Sequence, residues 1–176
     1  MPRIRIVHVD QPTHAALAAG DLEAANRTSP VPLTPALVTE GFRSTFARRA
    51  EQLLDRPEDQ PWVTGIVWDE DLEVAVGAGG FHGSPDEDGM VEVGYSIDPA
   101  YRRRGYARAV LQLLLDRAAA HPEVRVLRAT ISPDNEPSLN LIAQFPFERN
   151  GEQWDEEDGL EWIFEIPTPT PADSAP

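Results

Sequence analysis

The chain has 176 residues, 41% hydrophobic and 26% charged, which is enough to close one core of ordinary size and excludes a fully disordered chain. Thirty acidic residues against fifteen basic ones give a net charge of -15, which disfavours nucleic acid and anionic lipid and favours cationic small molecules or basic proteins as partners. No apolar run nears the ~20 residues of a membrane span, and the absence of cysteine excludes disulfides, thiolate metal sites and a cysteine nucleophile.

The opening MPRIRIVHVD has no apolar core and no small-residue cleavage site, so no secretory signal is expected and a cytoplasmic location is. Residues 3–9 (RIRIVHV) alternate polar and apolar and read as a strand. Residues 12–26 are Ala-rich and read as a helix. Residues 28–35 carry three prolines in eight positions and read as a loop. Thr34 then suits an N-cap and Pro35 a first helical position, for a helix reaching about Leu54. Its apolar side holds Ala36, Leu37, Phe42, Phe46, Ala50 and Leu53. Three strands follow at 62–68, 73–81 and 91–98, with short acidic or Gly-containing links that suggest an antiparallel meander.

The clearest helix covers 104–120, with Ala107, Val110, Leu111, Leu114, Leu115 and Ala118 on one face. Pro122 stops it, and 124–131 (VRVLRATI) alternates as a strand. Strand, helix, strand in that order implies a parallel crossover. A short helix at 137–145 and a hairpin of 147–154 with 160–166 complete the expected domain, 1–166. Residues 167–176 form a Pro-rich tail expected to be disordered. The expected architecture is α/β, with a mixed, mainly antiparallel central sheet flanked by helices. A doubly wound dinucleotide fold is not expected.

Residues 91–107, VEVGYSIDPAYRRRGYA, carry the chemistry. A strand runs into a turn at Asp98 and Pro99, and an Arg-Arg-Arg-Gly-Tyr-Ala loop opens the best helix. First-turn amides lack partners within a helix, and the helix dipole adds positive charge there. Together they suit a phosphate or pyrophosphate. Gly105 lets backbone approach the anion, and Ala107 keeps the next turn small. Arg102, Arg103, Arg104 and Arg108 place four of fifteen bases within seven residues. The bland alternative is a solvated basic turn. All bases are Arg, so a Schiff-base lysine and a Walker-type lysine are excluded.

This segment resembles the GNAT family of N-acetyltransferases. The family pattern is Gln or Arg, two variable residues, Gly, one variable residue, then Gly or Ala, and Arg102, Gly105 and Ala107 match it. The GAGGFHG run at 77–83, the acidic hairpin and VEVGY resemble the bacterial branch that includes the ribosomal-protein alanine acetyltransferases. Asn135, Ser138 and Phe147 fall where the family has Asn-x-x-Ser and its later Phe. The resemblance implies a CoA-binding acyltransferase fold and acetyl transfer from acetyl-CoA, as cosubstrate, to a primary amine. It implies that Arg102, Arg103, Arg104, Gly105, Tyr106 and Ala107 hold the pyrophosphate. It further implies that the strand edge near Ile97, with Asn135 and Ser138, meets the pantetheine arm. Two positions depart from the family: Ile142 stands where many members carry a proton-donating Tyr, and Pro146 stands where a Gly precedes the Phe.

Acetyl transfer to an ammonium needs a base, since the neutral amine is the nucleophile. Glu92 is the first choice, directly or through water, as the resemblance suggests, and His82 is the second because its intrinsic pKa suits the task. Each has a structural alternative: Glu92 as an Arg partner or exposed strand residue, His82 as a packed residue. Tyr95 and Tyr106 are candidate acids with packing as their alternative. His8, His14 and His121 show no ligand spacing, so no metal is expected. Asp155 and the acids up to Asp158 read as a solvated hairpin or as the entrance for a cation. The expected acceptor is a cationic small molecule, such as a polyamine or amine antibiotic, or a protein N-terminus. No nucleic-acid or membrane partner is expected, and the family's frequent dimers leave a homodimer open. The competing reading is a CoA-binding regulatory or degenerate module without catalysis.

Overall fold

A computed structural model describes residues 1–156 and 159–168. The chain divides into two compact units. The first comprises Met1–Ser84 and Gly94–Leu113, the second Pro85–Val93 and Leu114–Pro176.

In the first unit, β1 (Ile4–Val7) pairs antiparallel with β2 (Gly65–Asp69), from Ile4 opposite Asp69 to Val7 opposite Ile66. β2 pairs antiparallel with β3 (Val74–Phe81), with an irregularity at Val67 and Trp68. The β2 to β3 turn is built on Asp69, whose Oδ1 accepts from the amides of Asp71 at 2.8 Å and Leu72 at 2.7 Å. The later half of β4 (Met90–Ile97) also belongs here, and the Asp98 amide donates to the Val76 carbonyl at 2.9 Å.

The stretch expected to be one helix over 12–26 is two. Asp10 caps α1 (Gln11–Ala19), and Gly20 closes it at φ 79°. That left-handed position suits glycine and ends the helix. Asp21 then caps α2 (Leu22–Thr28). The expected cap at Thr34 also differs. Pro35–Val38 is a 3-10 turn with no side-chain cap bond from Thr34, and α3 (Glu40–Asp55) begins after Thr39. Its buried face is the expected one, with Phe42, Phe46, Ala50 and Leu53. Phe42 and Phe46 pack in a core with Val7, Leu17, Leu37, Ile66 and Trp68.

In the second unit, the first half of β4 pairs in parallel with β5 (Val126–Ile131), Glu92 opposite Arg128. α4 (Tyr106–Ala120) precedes β5, which gives the crossover expected from the sequence. β5 pairs antiparallel with β7 (Gly159–Pro167), and β7 pairs antiparallel with β6 (Glu148–Asp155). α5 (Glu136–Ile142) lies between β5 and β6 in the chain. Leu114, Ala118, Leu127, Ala129, Leu141 and Ile142 are buried. Pro167 ends β7 and the Thr168 amide donates to the Arg125 carbonyl at 2.9 Å. The rest of the expected tail, 169–176, and positions 157 and 158 of the acidic hairpin lie outside the described residues.

His14 carries the main buried polar cost of the first unit. It is fully buried on α1, its ring 5.7 Å from that of Phe46, and neither ring nitrogen has a hydrogen-bond partner. Burial first, then the charge of Arg49, lowers its pKa from 6.5 to about 4, against the opposing pull of Asp10. The unfolded chain therefore takes up this proton first as pH falls. The stabilisation is complete above the unfolded value of 6.5 and is lost as pH drops through the folded value of about 4. Its size is about 3 kcal/mol, at about 1.4 kcal/mol per pH unit. Urea unfolding at about pH 7.5 and about pH 4.5 should show a smaller loss for His14→Leu than for the natural chain. An equal loss in both would contradict this placement of the acid-sensitive group.

Candidate functional site

The loop between β4 and α4 is built from its own backbone. Asp98 Oδ1 accepts from the Ala100 amide at 2.9 Å, and Pro99–Tyr101 form a 3-10 turn. Arg102 folds back, its Nε donating to the Ile97 carbonyl at 3.1 Å. Arg103 at φ 60° and Gly105 at φ 86° both adopt left-handed backbone. Alternation of this kind turns successive amides toward one side, as in anion-binding nests. The first helical bond of α4 with Gly105 runs from the Ala109 amide at 3.0 Å. The amides ahead of it lie beyond the reach of the helix's own ladder.

Arg102, Arg103, Arg104 and Gly105 are exposed, while Ala107 is half-buried and Tyr106 is buried. A Cβ added at Gly105 would meet only the Pro2 ring, at 3.5 Å, so no main chain closes the loop at that point. Arg104 stands over the Tyr101 ring at 5.3 Å, and Tyr101 meets Tyr106 edge to face. Exposed guanidinium groups beside left-handed backbone make this a local positive surface in an acidic chain, of the kind that suits an anion.

Tyr106 is placed differently from a ligand-facing phenol. Its hydroxyl donates to Asp69 Oδ2 at 2.6 Å, a buried bond across 37 residues. Asp69 thus serves the β2 to β3 turn with one oxygen and the start of α4 with the other. Burial opposes its charge, but the bonds from Tyr106 and from the Leu72 and Asp71 amides hold its carboxyl below the usual range. Burial and then Asp69 push the Tyr106 phenol up to about 12. A sequence reading has no signal for this pair.

His82 lies at the end of β3, also in the first unit. Its carbonyl accepts from Arg49 at 2.9 Å and from Gln52 at 3.0 Å. Its Nε2 sits 2.7 Å from where a Cβ at Gly94 would stand, so the ring rests on β4 where that strand has no side chain. His82 is an exposed residue, yet its ring has enough packed neighbours to be desolvated. Desolvation, then Arg49 and Arg48, lowers its pKa from 6.5 to about 4. The advantage expected from an ordinary histidine pKa is therefore absent, and the imidazole is neutral at neutral pH.

The second unit holds the other candidates. Glu92 is half-buried on β4 and accepts from Thr130 Oγ1 at 2.6 Å. Arg128, opposite it in register, is bonded to Glu165 at 2.8 and 2.6 Å. Asn135 Oδ1 accepts from the Ser138 amide at 3.2 Å, which caps α5. That bond gives Asn135 a structural role at the start of α5. Ile142 is buried at the end of α5, with no proton to give. Among the described residues, no group of three or more His, Asp or Glu is arranged to hold a metal ion. No helix among them is long and apolar enough to cross a membrane.

Residues 3–148 match the family described as the acetyltransferase (GNAT) domain. The chain belongs to that family. It is 34% identical over 86 residues, 49% of each chain, to an uncharacterized N-acetyltransferase, YjdG, of Bacillus subtilis. It is 39% identical over 62 residues to L-2,4-diaminobutyric acid acetyltransferase of Streptomyces coelicolor, covering 35% of this chain and 36% of that one. The matches span about half the length of these curated relatives or less. The fold is shared with ribosomal-protein-S5-alanine acetyltransferase of Vibrio fischeri, at a TM-score of 0.62 and 18% identity, over 94% of this chain and 92% of that one.

The Asp69 and Tyr106 bond yields an alkaline prediction. The folded phenol titrates at about 12 against 10.0 unfolded. Its stabilisation is complete below pH 10.0 and is lost as pH rises through about 12. Tyr106→Phe should leave the Asp69 oxygen buried without its donor and cost about 1–3 kcal/mol at neutral pH. Ultraviolet titration should show one phenol fewer near pH 12 in the variant, and thermal melting should show the loss. Unchanged stability in Tyr106→Phe would contradict the anchor.

Proposed function

We propose that the chain transfers an acetyl group from acetyl-CoA to a primary amine, within a single acetyltransferase domain spanning 1–166. The left-handed pair Arg103 and Gly105, beneath exposed guanidinium groups at the head of α4, carries this reading. Acetyl-CoA, when bound, supplies a thioester carbonyl for the amine to attack and a thiolate to leave. The loop 102–107 binds the pyrophosphate through amides and guanidinium charge. Arg102 is already committed to the Ile97 carbonyl, so it shapes the turn as well as charging it. The strand edge near Ile97, with Asn135 and Ser138, meets the pantetheine arm.

Glu92 is the base in this reading, directly or through a water. Its bond from Thr130 fixes the carboxylate's orientation while the second oxygen receives the proton. The buried Ile142 leaves protonation of the leaving thiolate to water or to Tyr95. Tyr106 does not fill that role, with its hydroxyl held by Asp69. The missing phenol at Ile142 also favours the second reading, a CoA-binding module without catalysis.

The net charge of -15 supports a cationic acceptor in the cytoplasm, a small amine or a protein N-terminus. The relative named for L-2,4-diaminobutyrate adds a small diamine to that class. The test is acetyl transfer, followed by mass detection, to a three-amine panel: L-2,4-diaminobutyrate, spermidine and an alanine-terminated peptide. Transfer to at least one member is expected. Glu92→Gln should lower kcat about tenfold to a thousandfold and leave acetyl-CoA affinity nearly intact. Acetyl-CoA binding with no transfer to any amine would favour the module. For a cationic member, kcat/KM should fall as salt rises past about 0.1 M, because screening shortens the attraction to about 10 Å. A rate insensitive to salt would contradict the charge argument.

A further inference from the structure

We propose that Tyr101 is a positioning residue for cosubstrate binding: its ring holds the Arg104 guanidinium by stacking and leaves the N–H edge to donate to a phosphate oxygen of acetyl-CoA. The inference rests on the acetyl-transfer reading, in which the loop 102–107 binds the pyrophosphate, and it names the arginine that is set in advance. The three exposed arginines of the loop are held differently. Arg102 donates through Nε to the Ile97 carbonyl at 3.1 Å, so it braces the turn. Arg103 sits at φ 60°, where the backbone turns left-handed. Arg104 lies over the Tyr101 ring, its Cζ 5.3 Å from the ring centroid. Stacking engages the face of a guanidinium and leaves its N–H edge for an anion. A carboxylate partner would take up that edge instead. In a chain of net charge -15, this separates an arginine neutralised on its own surface from one available to a phosphate.

Tyr101 is itself fixed from below. It closes the 3-10 turn Pro99–Tyr101, where its amide donates to the Asp98 carbonyl at 2.8 Å. Its ring meets the Tyr106 ring edge to face, with centroids 6.0 Å apart and planes at 83°. Aromatic pairs favour this geometry. Tyr106 is buried and donates to Asp69 Oδ2 at 2.6 Å. A buried bond thus sets one ring, that ring sets the second, and the second carries the guanidinium. The charge of Arg104 is felt along the same line: burial and Asp69 push the Tyr106 phenol up, and Arg104 pulls against them. Tyr101, Arg104, Tyr106 and Asp69 all belong to the first unit. Holding an arginine before the ligand arrives lowers the side-chain entropy lost on binding. Tyr101 therefore acts on the cosubstrate through Arg104, with the buried Asp69 and Tyr106 pair as its footing.

The test is calorimetric titration of CoA into the natural chain, Tyr101→Leu, Tyr101→Phe, Arg104→Lys and the double variant Tyr101→Leu/Arg104→Lys, with circular dichroism checking that each is folded. Tyr101→Leu should bind CoA about threefold to fivefold more weakly, the worth of an exposed cation–π contact. Tyr101→Phe keeps the ring and should recover the affinity to within about twofold. Arg104→Lys keeps the charge without the planar face and should lose a factor similar to that of Tyr101→Leu. The double variant should bind about as well as the weaker single variant, because both substitutions remove one shared interaction. NMR relaxation at Arg104 Nε should show a more mobile guanidinium in Tyr101→Leu than in the natural chain. If Tyr101→Leu fails to fold, Arg104→Lys carries the test beside Arg104→Gln, and its affinity should fall between those of Arg104→Gln and the natural chain. Natural affinity in Arg104→Lys overturns the proposal, as do single losses that simply add in the double variant. A natural chain that binds no CoA overturns the acetyl-transfer reading, and this inference with it. A natural chain that binds CoA, with a folded Tyr101→Leu that binds it equally well, overturns this inference alone.

Discussion

The buried bond from the Tyr106 hydroxyl to Asp69 is the constraint on which the anion loop depends. A run of three exposed arginines and a glycine has little apolar surface with which to hold itself. Its order comes from below, where Tyr106 is buried and bonded to a carboxylate that also shapes the β2 to β3 turn. A buried carboxylate with one donor removed costs the desolvation of that oxygen, so the pair is tied together more strongly than a surface contact would be. Asp98 and the left-handed residues Arg103 and Gly105 then set the direction of the chain above this anchor. In the proposed reading, anion affinity in the loop is therefore a property of fixed backbone as much as of guanidinium charge.

The two candidate amine-side groups are held by different means. Glu92 accepts from the Thr130 hydroxyl within the second unit. His82 is oriented through its main chain by Arg49 and Gln52 within the first. Desolvation first, and then Arg49 and Arg48, lowers its pKa to about 4 and leaves it a weak base. The loss of a phenol at Ile142 is tolerable on chemical grounds, since a thiolate is a good leaving group and needs less help than the amine.

Much of this was legible in the sequence where local pattern decides. The alternation of 124–131, the helical face of 104–120 and the strand to helix order around Gly105 all correspond to observed elements. The parallel pairing of β4 with β5 follows from that order. Gly20 and Asp21 were a readable stop and start inside the Ala-rich stretch, but alanine propensity masked them. Thr34 had the right residue type for a cap, yet Pro35–Val38 turned as a 3-10 segment and moved the true start to Glu40. The remainder was illegible because it is long-range. The partner of Tyr106 lies 37 residues away, and the donors to the His82 carbonyl lie 33 and 30 residues away. No spacing rule encodes such pairs. The small residue that seats the His82 ring, Gly94, looks in sequence like any glycine in a strand.

In the proposed reading the backbone at Gly105, held left-handed at φ 86°, binds the CoA pyrophosphate. Isothermal calorimetry with CoA on the natural chain and on Gly105→Val tests it most directly, with circular dichroism confirming that both are folded. Valine's branched Cβ opposes a left-handed backbone. Micromolar binding by the natural chain and binding at least about a hundredfold weaker in the variant, about 2.8 kcal/mol, are expected. A folded Gly105→Val chain that binds CoA as tightly as the natural one would contradict it.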